Sequence, residues 1–292
     1  MEIALRIVGI ITPVLIISAI GYAYARLQKP DMTWINRLSL DLLFPLLIYT
    51  SMASKDFNIR DFLWLIVAGL IVMLGSGLIA WQAARWLHYN PRAFVPSMVF
   101  SNVGNMGLPL TLLAFGQEML PAAIALFMIF SMVHFTIGIR ICAPDVSVKG
   151  ILRGPMLWAM AAGIASSLLG FTLPEWLASS TRLLGEAAIP LGLFTVGVGF
   201  ASFKVKRWSI GIIGAVLCPV SGLVVAWPLA HLLPLSPPLR GVLLLYAALP
   251  PAVTNYIFAE RYQQEPGLVS AIVVVGSIAS IFFVPLSLYL AF

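Results

Sequence analysis

Charged side chains are scarce in this sequence, and their scarcity excludes a soluble globular protein. Asp, Glu, Lys and Arg together make up only 10% of the 292 residues, whereas a soluble domain carries about 25%. The two cysteines lie in or beside apolar segments without metal-ligand spacing, so we expect neither a disulfide framework nor a metal site. The sequence contains no nucleophile–base set, Walker loop or dinucleotide-binding motif. We therefore expect no enzymatic activity and no cofactor.

Long apolar segments make up most of the chain. Hydrophobic residues account for 61% of it, and the mean hydropathy is +1.00. A helix of about 20 apolar residues crosses a bilayer, and about ten such segments follow one another with short loops between them. The sequence therefore predicts an all-α membrane protein in which residues 1–292 form a single transmembrane domain. The predicted spans are approximately Ile7–Ala25, Trp34–Met52, Phe62–Ala83, Ala93–Phe115, Leu120–Ile139, Leu152–Phe171, Leu183–Phe203, Ile210–Leu232, Leu239–Ala259 and Leu268–Phe292.

Basic residues are unevenly divided between the loops on the two sides of this domain. Loops after odd-numbered spans carry eleven Lys and Arg residues, and the opposite side carries five. By the positive-inside rule, the odd-numbered loops face the cytoplasm and both termini lie on the outer side. The net charge of +6 thus reflects topology rather than nucleic-acid binding. The eleven residues are Arg26, Lys29, Arg85, Arg92, Arg140, Lys149, Arg153, Lys204, Lys206, Arg207 and Arg261.

Two segments share the same landmarks at a constant separation of 145 residues. Asp41–Thr50 in span two and Glu186–Thr195 in span seven each contain an acid, a Pro-Leu pair and a threonine at the same spacing. The same separation relates Ser76-Gly77 in span three to Ser221-Gly222 in span eight. A repeat of five spans is inverted relative to the first because five is odd, and many secondary transporters have this symmetry. We therefore predict two inverted five-helix repeats, over residues 1–141 and 151–292.

Helix-breaking and amide residues interrupt span four within its apolar run. Gly104 and Gly107 let the backbone leave helical geometry, and Pro109 removes a backbone N–H. Asn102 and Asn105 add amide groups at the same depth. In hydrocarbon, freed backbone groups are tolerated only where protein or a watery cavity satisfies them. The interruption is typical of a transport site, and the alternative is a kinked helix packed through its small residues.

Span nine, which has the matching position in the second half, is interrupted as well. Pro250 and Pro251 cannot continue a regular helix, and Thr254 and Asn255 follow them with hydrogen-bonding side chains. Two broken helices in corresponding positions are the best sequence indication of a transport site.

The interrupted spans resemble the auxin efflux carrier family, which includes plant auxin exporters and bacterial malonate- or malate-type carriers. In span four the matching motif runs from Asn102 to Gly107-Leu108-Pro109. In span nine the matching residues include Pro250, Phe258 and Tyr262. The resemblance extends from span one to span ten. Plant members carry a long hydrophilic loop between the halves, whereas this chain has a short one, so it resembles a bacterial member located in the inner membrane.

This resemblance implies a fold and a mechanism. The fourth and ninth helices are expected to cross at the substrate site, as in bile-acid symporters and sodium/proton antiporters. Transport of organic anions is expected to proceed by an elevator-like movement of the crossing domain against a scaffold. Related carriers often form homodimers through the scaffold helices, so a homodimer is a further expectation.

The residue types at the breaks suit a carboxylate. Half-helix N-termini present free N–H groups, which we expect near Gly107-Leu108 and near Ala252-Val253. Asparagine amides donate hydrogen bonds to a carboxylate without placing a fixed cation in the membrane, but their oxygens can equally coordinate sodium. The predicted substrate-binding residues are Asn102, Gly104, Asn105, Gly107, Pro109, Pro250, Pro251, Thr254 and Asn255.

Two acids lie within predicted spans but away from the breaks. Asp41 and Glu186 each precede a proline by four residues, and an intramembrane acid is a candidate for proton binding. Arg37 and Arg182 stand four residues before them, so the alternative, which we favour, is a structural ion pair on one helix face. His134 is the only histidine in the middle of a span, and we expect it to have a packing role.

The sequence thus predicts a secondary transporter that exports a small organic anion, either an auxin-like aromatic carboxylate or a dicarboxylate. Uniport and proton coupling both remain open. The alternative function is a sodium-coupled organic-anion symporter of the bile-acid type. A membrane sensor that binds the anion without moving it is a third possibility.

Overall fold

A computed structural model describes residues 2–53, 58–143, 154–202 and 207–292 of the chain. Helices make up nearly all of this part, which contains one isolated β-bridge and no strand. The all-α prediction is therefore confirmed. The α-helices are α1 (Glu2–Gln28), α2 (Thr33–Leu38), α3 (Phe44–Met52), α4 (Leu63–Trp86), α5 (Pro91–Val99), α6 (Leu108–Phe115), α7 (Leu120–Val133), α8 (Ile139–Cys142), α9 (Pro155–Leu169), α10 (Glu175–Glu186), α11 (Ala188–Ser202), α12 (Trp208–Leu232), α13 (Pro237–Ala247), α14 (Val253–Arg261) and α15 (Pro266–Ala291).

Six helical stretches of the described chain are long and apolar enough to cross a membrane. They coincide with six of the ten predicted spans, and the remaining four are shorter or interrupted by irregular turns. The protein is therefore an integral membrane protein, while the total of ten spans remains a prediction. The six stretches are Glu2–Gln28, Arg60–Trp86, Gln117–Cys142, Glu175–Ala201, Trp208–Leu232 and Pro266–Ala291.

The helices form two sets that pack most extensively within themselves. In the first helix set (α1–α3 and α9–α11), α1 packs against α11 and α3 packs against α9 and α10. In the second helix set (α4–α8 and α12–α15), α12 packs against α4, α13 and α15, while α4 packs against α5. Tyr246, fully buried in the second set, ties α13 to α7 by donating a hydrogen bond of 3.1 Å to the carbonyl oxygen of Ala123.

Close approach of α1 and α11 depends on two glycines that face each other's helix. A Cβ atom on Gly21 would overlap the carbonyl oxygen of Phe194, and one on Gly197 would overlap that of Ser18. Small residues that let helix backbones come this close are the usual interface of membrane helices, because apolar side chains gain little by leaving lipid.

Prolines explain where two of the helices of the first set are irregular. A proline ring clashes with the carbonyl of the residue four positions earlier and cannot donate to it. For Pro45 that residue is Asp41, which lies in a π-helical turn (Ser39–Leu43) between α2 and α3. For Pro190 that residue is Glu186, where α10 ends before α11 begins at Ala188. Both acids of the predicted repeat thus mark a local departure from regular helix.

Several residues used in the sequence predictions lie outside the described part of the chain. They include the start of the predicted sixth span at Leu152, the end of the seventh at Phe203, and residue 151, where the predicted second repeat begins. Five of the loop lysines and arginines are also outside it, namely Lys55, Lys149, Arg153, Lys204 and Lys206.

Candidate functional site

The break in span four begins at Phe100, four residues before Gly104. Helix α5 ends at Val99, and Phe100 is extended (φ −94°, ψ 97°). A π-helical segment, Val103–Gly107, then leads directly into α6. The second half-helix therefore starts at Val103, and not near Gly107-Leu108 as expected, because the glycines are accommodated in the wider π turns instead of ending the helix.

The break in span nine is where the sequence predicts it. Helix α13 ends at Ala247, and the Pro250-Pro251 pair separates it from α14, which begins at Val253. Ala252 is extended (φ −69°, ψ 143°) and precedes the new helix. The half-helix N-terminus expected near Ala252-Val253 is therefore present.

Hydrogen bonds join the two breaks directly. The backbone N–H of Asn102 donates to the carbonyl oxygen of Pro250 at 2.8 Å, and the N–H of Ala252 donates to that of Phe100 at 2.9 Å. Together they form a short antiparallel bridge between Ser101 and Pro251. Backbone groups freed by one break thus satisfy those freed by the other, which is what irregular backbone at membrane depth requires.

Three buried polar atoms at this junction have no hydrogen-bond partner in the described structure. They are Nδ2 of Asn102, Nε2 of His134 and Oδ1 of Asn255, in side chains that are 5%, 6% and 3% exposed. The other amide atom of Asn255, Nδ2, donates to the carbonyl oxygen of Phe100 at 2.8 Å. An unsatisfied buried group costs about 1–3 kcal/mol, so a polar molecule that paired with these atoms would be stabilised at the junction.

A cavity of about 370 Å³ adjoins the junction and lies between the two helix sets. Its volume falls within the range of small-molecule sites. None of the described residues that line it is Asp, Glu, Lys or Arg. Its aromatic residues are Phe44, Phe100, Phe127, Phe130, Phe135 and Tyr256. Its polar residues are Asn36, Ser39, Ser101, Asn102, Asn105, Ser131, His134, Thr195 and Thr254.

The predicted substrate-binding residues divide into two groups in the structure. One group lines the cavity, and the other shapes the backbone behind it. Gly107, for example, lies against Leu249 and Tyr246, and Pro250 provides the carbonyl that Asn102 contacts. The lining group is Asn102, Gly104, Asn105 and Thr254, and the supporting group is Gly107, Pro109, Pro250, Pro251 and Asn255.

The two predicted acids differ in their partners, and neither lines the cavity. Arg37 Nε lies 3.6 Å from Asp41 Oδ2, in the predicted i,i+4 arrangement, with the side chains 82% and 61% exposed. Glu186 does not form the ion pair expected with Arg182 in the described structure. Its Oε1 instead accepts a hydrogen bond of 3.5 Å from Nε2 of Gln117, which lies between α6 and α7.

His134 lines the cavity as well, a position that the sequence reasoning did not predict. Its ring stacks on Phe100, with centroids 4.2 Å apart and planes 7° apart, and its Nε2 is one of the three unpartnered atoms. In the sequence, His134 stands out as the only histidine in the middle of a predicted span. No rule of residue spacing relates it to a break in another span.

A second cavity, of about 290 Å³, lies within the first helix set. It is formed where the end of α3 meets the turn between α9 and α10. Its lining residues are Tyr49, Thr50, Ala53, Phe171, Thr172, Leu173, Glu175, Ala178, Ser179, Thr181 and Arg182.

Comparison with known proteins agrees with a transport role. The model of a family described as membrane transport protein matches residues 145–288. A Rhizobium meliloti protein provisionally named a malonate transporter is 27% identical over 315 residues, covering 98% of this chain and 96% of its own. An uncharacterized transporter of Methanothermobacter thermautotrophicus is 26% identical over 295 residues, covering 94% of each chain.

Plant proteins match a smaller part. Auxin efflux carrier component 1 of Arabidopsis thaliana is 26% identical over 141 residues, which cover 46% of this chain and 22% of the plant protein. The family and these relatives are named for transport, which fits the expectation that the protein is not an enzyme. The resemblance seen in the sequence is confirmed: the chain is similar to membrane transport proteins, and the auxin efflux carriers are among them.

Proposed function

We propose that this protein is a secondary transporter of a small organic anion, which binds in the cavity beside the joined breaks of spans four and nine. The observation that carries the proposal is the unpartnered Nδ2 of Asn102, a buried hydrogen-bond donor on the wall of that cavity. A carboxylate is acceptor-only and would satisfy such a donor. The free N–H groups at the start of the half-helices provide further positive potential for an anion.

The cavity wall favours a monocarboxylate with an apolar body over a dicarboxylate. Six aromatic residues line it, and no lining residue carries a fixed positive charge among the described ones. Burying each carboxylate without a charged partner is expensive, so a second negative group would add a penalty that nothing in the wall offsets. An aromatic carboxylate places one charge at the amides and its ring among the phenylalanines.

The packing supports two inverted halves. Span one (α1) packs against span seven (α11), and span two (α3) packs against span six (α9). In a repeat of five spans, span one corresponds to span six and span seven corresponds to span two. The repeat therefore relates the first contact to the second. Asp41 and Glu186, at equivalent positions, also precede equivalent prolines that disturb their helices. We therefore infer a ten-helix inverted repeat in which spans four and nine cross.

Two cavities at symmetry-related positions support alternating access. Three residues of the first cavity stand 145 residues from three of the second, namely Asn36 and Thr181, Thr195 and Thr50, and Val198 and Ala53. In the orientation given by the basic loops, the first cavity faces the cytoplasm and the second faces outward. We infer that the second helix set moves along the first, as in an elevator, and exposes the substrate at each cavity in turn.

We infer export because the potential across a bacterial inner membrane drives anions outward. In this membrane both termini of the protein lie on the outer side. An inside-negative potential drives each net negative charge outward with about 2.3 kcal/mol per 100 mV. Because no described residue of the first cavity is an acid or a fixed base, the carried charge would be that of the anion itself.

A sodium-coupled symporter of the same architecture is the second candidate. The unpartnered Oδ1 of Asn255 favours it, because an amide oxygen is a sodium ligand as well as a hydrogen-bond acceptor. Asn255 is anchored through its Nδ2 to the carbonyl oxygen of Phe100, so that its oxygen has a fixed position.

Currents from purified protein in liposomes on a solid support would test both. Indole-3-acetate, malonate and malate would each be added with and without sodium. Anion-dependent current that is independent of sodium is the expected result. Current that requires sodium would favour the symporter, and binding without current or counterflow would indicate a sensor.

A further inference from the structure

We propose that His134 is a substrate-binding residue, whose Nε2 donates a hydrogen bond to the carboxylate that Asn102 also contacts. The proposal rests on the proposed function and adds the residue that selects for the carboxylate group. Its basis is an unpartnered ring nitrogen in a side chain that is almost fully buried and lines the cavity.

Aromatic contacts fix the orientation of the His134 ring. Phe100 stacks on one face, and Phe258 makes a T-shaped contact, with the two ring centroids 5.2 Å apart and the planes at 70°. Gly138, one turn along the same π-helical segment, makes this stack possible, because a Cβ atom there would overlap both Phe100 and His134. A ring held on its faces can direct its nitrogens only in its own plane, which favours a defined hydrogen bond to a ligand.

Nε2 of His134 lacks a partner although a potential one is close. The Asn255 side chain is close enough to the ring to act as its hydrogen-bond partner, but Nε2 of His134 and Oδ1 of Asn255 are not in hydrogen-bond geometry with each other or with any other described atom. Burying a donor without a well-placed acceptor is costly, so a hydrogen bond from Nε2 to a ligand would stabilise the bound state. The open geometry indicates that Nε2 serves another acceptor.

A carboxylate is the acceptor that suits the surroundings. With its proton on Nε2 the neutral ring donates there, and the doubly protonated ring donates from both nitrogens. No acidic residue lines the described wall to compete for the donor. The nearby acid on α14, Glu260, already accepts from the hydroxyl of Tyr256 at 2.9 Å. His134 and Asn102 would thus provide two donors for one carboxylate.

Binding measurements with two ligands that share a ring would test this role. The acid is indole-3-acetate, and the matched ligand is 3-methylindole, which has no carboxylate. The variants are His134→Phe, which keeps the stacking ring without its nitrogens, and His134→Gln, which keeps a donor. Asn255→Ala tests the competing contact. His231→Phe is the control, because His231 is exposed on α12 and contacts the carbonyl oxygen of Trp227 outside the cavity.

We expect His134→Phe to weaken binding of the acid by about tenfold to a hundredfold, the usual loss for a hydrogen bond to a charged group. Binding of 3-methylindole should change less than about twofold, and His134→Gln should recover part of the acid affinity. Unchanged acid affinity in His134→Phe, or an equal loss for both ligands, would overturn the proposal. A loss in Asn255→Ala as selective as in His134→Phe would also overturn it, since the histidine would then act through Asn255.

The result separates this proposal from the proposed function. If the wild-type protein binds malonate rather than indole-3-acetate, the proposal requires that His134→Phe selectively weakens the binding of malonate. If wild-type protein binds the acid and produces a current while His134→Phe does both equally well, only the role of His134 is wrong. If wild-type protein binds neither acid, both proposals are wrong.

Discussion

The backbone N–H of Asn102 lies 2.8 Å from the carbonyl oxygen of Pro250, in a hydrogen bond that joins the break of span four to the break of span nine. With the reciprocal bond from Ala252 to Phe100, it makes one structural unit of two half-helix pairs that are distant in sequence. Moving one pair without the other would expose four backbone groups to an apolar interior. The two breaks should therefore move together.

Substitution of Ala252 by proline tests the strength of this junction. The backbone angles of Ala252 (φ −69°, ψ 143°) already suit proline, so Ala252→Pro should remove the N–H donated to Phe100 with little other strain. We expect the unfolding free energy in detergent to fall by about 1–3 kcal/mol. Ala252→Ser keeps the N–H and is the control. Equal thermal stability of the two variants would contradict a stabilising role for the bond.

Removal of the amide at Asn102 tests the anion site itself. Asn102→Ala deletes the unpartnered donor on the cavity wall, and Asn105→Ala deletes the second lining amide. We expect anion-dependent current to disappear in both variants while the protein remains folded and monodisperse. Asn58→Ala is the control, because Asn58 is exposed and outside the cavity, and its side chain only accepts from the N–H of Arg60 and donates to Asp61 in a short helical turn. Wild-type currents in the Asn102 and Asn105 variants would show that the site is elsewhere.

The sequence predicts the helical class and both breaks because local rules govern them. Apolar length determines where a helix can cross lipid, and Pro250-Pro251 ends a helix wherever it occurs. The second half of span four starts at Val103, and not near Gly107 as the sequence predicts. Glycine permits a departure from the helix without requiring one, and here Gly104 and Gly107 lie inside a π-helical segment.

Contacts between distant segments could not be predicted in the same way. His134 meets Phe100 only through the packing of α7 and its π-helical extension against the junction. Glu186 contacts Gln117 rather than Arg182, although the i,i+4 spacing favours the arginine. An exposed ion pair is worth only about 0–1 kcal/mol, so a neighbour from another part of the fold easily replaces it.

Close packing of α1 on α11 predicts a strong effect of a single methyl group. Gly197→Ala should place its Cβ against the carbonyl oxygen of Ser18 and force the helices apart. We expect a loss of about 1–3 kcal/mol in stability, the usual result of overpacking, measured as a lower unfolding temperature in detergent. Gly9→Ala in α1 is the matched control, because nothing lies near its added methyl group. If both alanines behave alike, α1 and α11 are not in close contact.

The exposed ion pair between Arg37 and Asp41 predicts a negative result. Both side chains are largely exposed and neither lines the cavity, so Asp41→Asn should leave the anion-dependent current and its pH profile unchanged. Stability should change by no more than about 1 kcal/mol. A shifted pH profile of the current would instead make Asp41 a proton-coupling residue. Arg37→Gln distinguishes the two roles, because loss of the ion pair alone would affect both variants equally.

Labelling of single cysteines tests whether the two cavities open on opposite sides of the membrane. The native Cys142 and Cys218 are both buried and free, so replacing them with alanine gives a clean background. Thr181→Cys, in the second cavity, should react with a membrane-impermeant maleimide added to intact cells. Its counterpart Asn36→Cys, in the first cavity, should react only after the membrane is permeabilised.

Substrate should change this labelling if the cavities alternate. In the structure the first cavity extends to the junction that carries Asn102, so an anion bound there should slow the labelling of Asn36→Cys in permeabilised cells. Movement of the second helix set toward the outside would at the same time bring the substrate site to the second cavity and change the rate of reaction at Thr181→Cys. Labelling of both cysteines from the same side would contradict the inverted orientation of the two halves. Rates that do not respond to any transported anion would contradict alternating access, because the two cavities would then be permanent features of a rigid protein.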